Sequence, residues 1–467
     1  MKLSRLKAPN TFVLLFSFLV AVAAMTWIVP GGAYERAEAD GREIVVPGSF
    51  ERVPAEPQGL GALLMAPIRG FAAAAPIIGF VLLVGGAFGV LSKSGAIEAA
   101  LRSLVHASGR VGRAFRRWWI PVFTTLFSLG GAIFGMSEEV IPFVLIFVPL
   151  SVALGGDSLL GVAVPLAGSQ AGFAGAFLNP FNIGVAQGIA DLPLFSGMGY
   201  RILVWCVSTA IAIAFLEWYA RRIRKHPARS PVHALDQERA SRLDPPESGS
   251  HARMDRRHRA VLTAFMAGMA ALVLGVLTYG WYIEEIAGLF VGVALVTGPV
   301  GGLNARETAE AFAAGAKELT ATALVIALAR GVLVLAQDGR IIDTILHSLS
   351  APLAAFPPAV AAQAMFGAQW IINFFVPSGS GQAALTMPIM APLSDLVAVP
   401  RQVAVLAFQL GDGWCNLIIP TSAVTMGCLT LAKIEYGTWA RWIAPLILGF
   451  LAAGLVLVAA PFTFGWR

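Results

Sequence analysis

Charge is what this sequence has least of. Asp, Glu, Lys and Arg make up 13% of its 467 residues, whereas 57% are hydrophobic. A water-soluble domain carries roughly a quarter of its residues as charges, so a soluble globular chain is excluded. Cysteine is nearly missing too. Cys206, Cys415 and Cys428 each sit in an apolar segment and share no ligand spacing, which leaves no disulfide framework or metal motif, and they read as small core residues. No Gly-Lys-Ser/Thr follows a glycine-rich turn, so ATP-driven chemistry has no support. The net charge of +6 sits in loops between apolar runs. There it orients a chain in a membrane rather than binding nucleic acid.

What the chain does have is a series of uncharged stretches as long as the ~20 residues that cross a bilayer. Residues 11–29, 261–281 and 443–463 are the simplest. The fold class is therefore an all-α polytopic membrane protein. Lys2, Arg5 and Lys7 precede the first stretch as they would a signal peptide, but its length and the spans that follow favour a retained anchor. Residues 93–117 hold six Lys/Arg against Glu98, residues 221–259 hold eleven against five acids, and residues 31–61 hold six acids against three arginines. The positive-inside rule then puts the N-terminus, 93–117 and 221–259 in the cytoplasm and 31–61 outside the cytoplasmic (inner) membrane. Segment 221–259 also carries His226, His233, His251 and His258 at irregular spacing, which suits a flexible, solvated linker better than a metal site.

Between the two cytoplasmic loops the chain must cross an even number of times. Residues 118–156 form two short apolar arms around "GMSEE", broken by Pro121, Gly130, Gly131, Pro142 and Pro149; a re-entrant hairpin is expected. Residues 158–190 form a long segment interrupted at "NPFN". The second half repeats this order. "FGMSEEVIPFVLIFVPLS" aligns with "PSGSGQAALTMPIMAPLS", "LNPFN" with "IIPTS", and "KSGAIEAAL" with "QDGRIIDTIL", at offsets near 240–245. We expect two inverted-topology repeats, with about nine transmembrane helices plus two re-entrant hairpins. The expected organisation is an anchor and outer loop (1–58), repeat 1 with hairpin 1 (59–220), the basic linker (221–259), connecting helices (260–304) and repeat 2 with hairpin 2 (305–467). Inverted repeats of this kind bring broken helices to the bilayer midplane, where solutes and coupling ions bind.

The candidate site follows from polar residues in the greasy breaks. An acid at mid-bilayer costs roughly 2.5–3.5 kcal/mol on insertion scales, so Glu138 and Glu139, beside Ser137, demand a cation, a partner or water. Ser378, Gly379, Ser380, Gly381 and Gln382 form the opposite tip, where small residues allow close backbone approach to a ligand. Asn179, Pro180 and Asn182 mark the first helix break. Asp412, Asn416, Thr421 and Ser422 mark the second; Asp412 is the only charge between Gln402 and Leu431. Glu138, Asp412 and Thr421 are candidates for coupling to Na⁺ or H⁺. No other cofactor is implied. Arg330, late in an apolar run, reads either as a clamp for a substrate carboxylate or as a counter-ion. Asp412 in "QLGD" lacks the first glycine of an intramembrane aspartyl protease motif, and no second catalytic acid or Ser/His pair stands out; an enzyme is not expected.

"TWIVPGGAYER", "GMSEEVIPF", "NPFNIGVAQ", "SGSGQAALTMPIMAPLSDL" and "FQLGDGWCNLIIPTS" resemble the YfcC-type carriers of the DcuC family of C4-dicarboxylate anaerobic carriers, over nearly the whole chain outside the linker. The resemblance implies the wider ion-transporter superfamily, with inverted repeats, two hairpins, dimers and elevator-like movement. Sodium-coupled dicarboxylate carriers of that superfamily use Ser-Asn-Thr tips, from which Ser137-Glu138-Glu139 departs. Added acids suit the label of basic amino-acid antiporter given to YfcC-type members. The expected function is thus a secondary transporter of an amino-acid-like solute, with a C4-dicarboxylate second. The expected partners are that solute, the lipid bilayer and a second copy of the chain.

Overall fold

A computed structural model describes residues 11–466, apart from 40, 41, 47, 98, 101, 102, 104–109, 244–253 and 282. Lys2, Arg5, Lys7, Glu98 and His251 lie outside the described residues. The protein is helical almost throughout. Helix α1 (Thr11–Ile28) leads into four short strands, β1 (Gly32–Ala33), β2 (Arg36–Ala39), β3 (Arg42–Val45) and β4 (Glu51–Arg52). β1 pairs antiparallel with β4 and β2 with β3, with Gly32 opposite Arg52 and Arg36 opposite Val45. They form a small cap on one face of the molecule.

Helices α2 (Leu60–Ala73) and α3 (Ala75–Lys93) make one rod interrupted at Ala74. α4 (Arg110–Phe134) runs to a turn, and a 3₁₀ turn (Glu138–Phe143) starts the return arm α5 (Val144–Ala153). α6 (Ser158–Ala174) ends in a break, and the chain resumes through a wide turn (Pro180–Gly184) into α7 (Val185–Ile189). α8 (Met198–Lys225), α9 (His233–Leu243), α10 (Arg256–Tyr279) and α11 (Ile283–Val300) follow. The order then recurs. α12 (Ala305–Glu318) and α13 (Thr320–Asp338) are interrupted at Leu319 and match α2 and α3 in length, at 14 and 19 residues. After α14 (Ile342–Ser350), α15 (Pro358–Phe375) turns back as α16 (Gly379–Leu396). α17 (Arg401–Cys415) breaks and resumes as α18 (Ala423–Leu431), and α19 (Tyr436–Ala459) follows.

Glycines fix how these elements meet. A Cβ on Gly70 would lie 2.1 Å from Ala327 O, and one on Gly89 would lie 2.4 Å from Ala311 O. α2 therefore packs on α13 and α3 on α12, so the two interrupted rods run antiparallel. Gly168 sits against Thr124, Gly172 against Ser128, and Gly411 against Gln369; α4 thus runs parallel to α6, and α15 parallel to α17. Such small-residue contacts hold helices together where lipid gives no hydrophobic drive. α6 is buried over its whole length, and α17 over all but Arg401. These two helices form the centre, while side chains such as Ile68, Leu274, Leu295 and Leu448 face outward. Among the described residues, five helices, including α3, α8, α11 and α13, are long and apolar enough to cross a membrane. The protein is a multi-pass membrane protein.

Both faces carry specific docking. On one, Arg36 Nη2 lies 3.0 Å from both Asp343 oxygens, and the Tyr34 N–H donates to Asp343 Oδ2 at 3.0 Å. The Phe50 ring stacks on His347 at 3.9 Å between centroids. On the other face, the expectation of a flexible linker needs correction for residues 221–243, while its part 244–253 lies outside the described residues. α8 stays helical through Lys225, and α9 is docked: the Ser158 N–H donates to Asp236 Oδ2 at 2.8 Å, and Arg239 donates to Ala432 O. Asp157 Oδ2 accepts from the Tyr219 hydroxyl at 2.5 Å and the Ser230 hydroxyl at 2.7 Å. Composition showed the charges but not their partners, which come from the helix ends of the core.

The rod pairing is testable. Gly89→Val forces a side chain into the Ala311 and Gly315 backbone, and should cost ~1–3 kcal/mol of packing, read as a lower melting temperature of the detergent-solubilised protein. Gly79 has nothing within 4 Å of a built Cβ, so Gly79→Ala should melt as the wild type does. Equal melting of the two variants would contradict the close approach.

Candidate functional site

Both hairpin tips and both helix breaks border one cavity of about 290 Å³. Gly135, Ser137 and Glu138 come from the first tip, Ser378, Gly379 and Ser380 from the second, and Asn416, Thr421 and Ser422 from the break between α17 and α18. Phe173 and Phe181 give apolar wall, and Arg330 enters from α13. The chain can open its helices here only because side chains replace the lost backbone bonds. An unpaired buried N–H or C=O costs ≈ 1–3 kcal/mol.

At the first tip the Ser137 N–H donates to Glu139 Oε2 at 2.9 Å. Glu139 is buried and folded back on its own turn, whereas Glu138 faces the cavity. At the second tip the Gly381 N–H donates to Ser378 Oγ at 3.3 Å. Gly379 has a strict steric reason: its Cβ would stand 2.9 Å from the Phe173 ring and 3.2 Å from Asp412 Oδ2. Gln382 turns away from the cavity and donates to Gln369 O at 2.9 Å and Oε1 at 2.7 Å. Gly381 lines a neighbouring cavity instead.

In the first break Asn179 Oδ1 accepts from the N–H groups of Phe181 at 2.9 Å and Asn182 at 3.2 Å. Asn182 Nδ2 donates to Asp412 Oδ2 at 2.8 Å, joining the two breaks. Pro180 is exposed and does not reach the cavity; its part is to open the helix. In the second break the Asp412 carbonyl accepts from Asn373 Nδ2 at 3.0 Å and Asn416 Nδ2 at 3.1 Å. The Thr421 hydroxyl donates to Phe374 O at 2.6 Å, and Ser422 Oγ accepts from the Thr425 N–H at 3.4 Å.

The structure thus brings Ser137, Glu138, Ser378, Gly379, Ser380, Asn416, Thr421 and Ser422 to one cavity, with Asn182 and Asp412 immediately behind it. It leaves Glu139, Pro180 and Gln382 in supporting positions. Sequence reading missed Asn373, whose signal was an amide in the uncharged run 348–394 just ahead of the tip. Several buried oxygens have no donor: Asp412 Oδ1, Asn182 Oδ1 and Asn373 Oδ1. No cationic side chain among the described residues pairs with Asp412. Hard oxygen atoms of this type are the kind that takes a proton or an alkali cation. Glu138 and Arg330 are the only ionisable groups among the described lining of the cavity, and they sense each other's field without closing to an ion pair.

Residues 8–462 match the family of C4-dicarboxylate anaerobic carriers, DcuC. The chain is 38% identical over 97% of its length, and 96% of the relative's, to an Escherichia coli protein named "Putative basic amino acid antiporter YfcC". It is 27% identical over 96% of both chains to an uncharacterized Haemophilus influenzae protein. Among solved structures it is similar to the Alcanivorax borkumensis YdaH transporter (19% identity, 98% and 99% covered, TM-score 0.40) and to Neisseria gonorrhoeae MtrF (20%, 97% and 94%, TM-score 0.39), titled an antimetabolite efflux pump. Likenesses that distant say nothing of substrate.

The supporting roles predict a division among variants. Asn182→Ala and Glu139→Ala each strand a buried partner and should cost ~1–3 kcal/mol, seen as lower melting temperatures. Pro180→Ala restores an N–H at the break but removes no cavity contact, so it should leave the KM of solute exchange within about twofold of wild type. A larger rise in KM for Pro180→Ala would return that proline to the binding surface.

Proposed function

Because this chain belongs to the C4-dicarboxylate anaerobic carrier family, we propose that it is a secondary active transporter. It moves a small amino-acid-like solute, basic amino acids foremost, across the cytoplasmic membrane by ion coupling or exchange. The observation that carries this reading is the single cavity between two hairpin tips and two helix breaks, with Glu138 on its wall and Asp412 behind it. Glu138 offers a carboxylate to an amine, and Asp412 with its donor-free oxygens takes Na⁺ or H⁺. A carrier, not an enzyme, is also what its relatives are.

The alternating-access machine in this reading is a pair of inverted repeats, spanning 59–220 and 305–467, with nine crossings and two re-entrant hairpins. Support comes from the matched lengths of the two interrupted rods, their antiparallel packing, and the recurrence of hairpin and broken helix in the same order. The basic segment 221–259 and the N-terminus lie in the cytoplasm, the cap outside, and two copies associate in the bilayer. The second reading, a C4-dicarboxylate carrier driven by Na⁺ or H⁺, is favoured by Arg330 on the cavity wall. Glu138 opposes a dianion there, which places it second.

Reconstituted protein should show saturable counterflow of L-arginine or L-lysine. Glu138→Gln should reduce it at least about tenfold, the worth of one charge-assisted contact. Asp412→Asn should uncouple exchange and remove any rise in melting temperature given by Na⁺ over K⁺ or by lowered pH. Wild-type rates in both variants would take these acids out of the mechanism, and ion current without solute exchange would make the protein a channel.

A further inference from the structure

A second cavity, of about 500 Å³, lies between the cap and the tip of the α15–α16 hairpin. Arg330, Leu333 and Ser378 line both cavities, so the two adjoin. Arg330, Leu333 and Gln337 follow one another at helical spacing on α13, so one face of that helix leads from the cap to the inner cavity. Three guanidiniums line the outer space, and two are committed. Arg36 holds Asp343 at 3.0 Å, and Arg340 holds Glu56 at 2.6 Å. Arg330 is the remaining one. It is half-buried, has no acid within ion-pair distance among the described residues, and stands where the outer cavity meets the inner one.

We propose that Arg330 is the residue that receives the solute's carboxylate, at the seam between the outer and inner cavities, while Glu138 takes the amine of the same molecule. A planar guanidinium presents paired donors that match a carboxylate. A lone cation and a lone anion on one wall complement a zwitterion, and repel neither end of it. The outer cavity is the approach, because the arginines nearer the cap are neutralised by their own acids and leave Arg330 as the first free cation met. Recognition therefore requires both a carboxylate and an amine, and this assignment rests on the transport reading given above.

The rival role for Arg330 is as counter-ion to Glu138. The two roles separate in counterflow with L-arginine and with agmatine, which is the same molecule without its carboxylate. Wild-type protein should exchange L-arginine at least about tenfold better than agmatine. Arg330→Gln should abolish that preference, bringing L-arginine down to the agmatine rate without lowering the rate of agmatine. Arg330→Lys, which keeps the charge, should retain the preference with a raised KM, and serves if the glutamine variant fails to insert. An equal fall for both solutes in Arg330→Gln would make the arginine a counter-ion and overturn the proposal, as would equal wild-type rates for the two. If the wild type refuses both amines and exchanges succinate, the amino-acid reading fails by itself. Arg330 is then judged on succinate: a tenfold loss in Arg330→Gln upholds the carboxylate role, and an unchanged rate ends it.

Discussion

A helix opened inside a bilayer exposes backbone groups that water cannot reach, and every feature of this site answers that constraint. All four openings carry their own side-chain cap. Asn179 takes two N–H groups, Ser378 takes that of Gly381, Glu139 takes that of Ser137, and Ser422 takes that of Thr425. The exposed carbonyls are met as well. Asp412 O receives Asn373 and Asn416, and Phe374 O receives Thr421. Polar residues here are therefore of two kinds, those that repair the backbone and those left over. The second kind is wholly free to meet a ligand, whereas Ser378, Asn416, Thr421 and Ser422 repair the backbone and line the cavity as well.

Local commitments explain why two candidates stayed off the cavity. Glu139 and Gln382 looked equivalent to their neighbours in sequence, but each is consumed by local repair or by packing on an adjacent helix. Pro180 acts by lacking an N–H, which needs no contact with the cavity. Glu138 and Arg330 remain uncommitted, and so do the outer oxygens of Asp412, Asn182 and Asn373.

Much of this was readable from the sequence because lipid makes polar residues costly. Acids, amides and glycines in uncharged runs stood out against their surroundings, and the order of breaks repeated at a fixed offset. What could not be read depended on three-dimensional partners. Asn373 gave only a weak signal, and the direction of Glu139 gave none. The linker was misread because solvated charge and docked charge have the same composition. Only the placement of Asp236 on Ser158, and of Arg239 on Ala432, shows that α9 is docked at the start of α6 and just past the end of α18. The cap was equally silent, since its hold on α14 joins residues some three hundred positions apart.

The two acids that remain sit in different surroundings, and that difference shapes what each can do. Glu138 borders open space, shares it with a guanidinium, and can exchange one partner for another as a solute enters. Asp412 is sealed behind Gly379, with one oxygen held by Asn182 and the other without a donor. A tip that already admits no Cβ leaves no room for a bulky amine beside it. Asn182 belongs to the first break and Asp412 to the second. Charging or discharging the sealed acid therefore acts directly on the contact that holds the two breaks together. In the transport reading proposed above, a solute in the cavity meets the same two breaks from the other side, and each compartment then feels the occupancy of the other through a shared wall, as coupled transport requires.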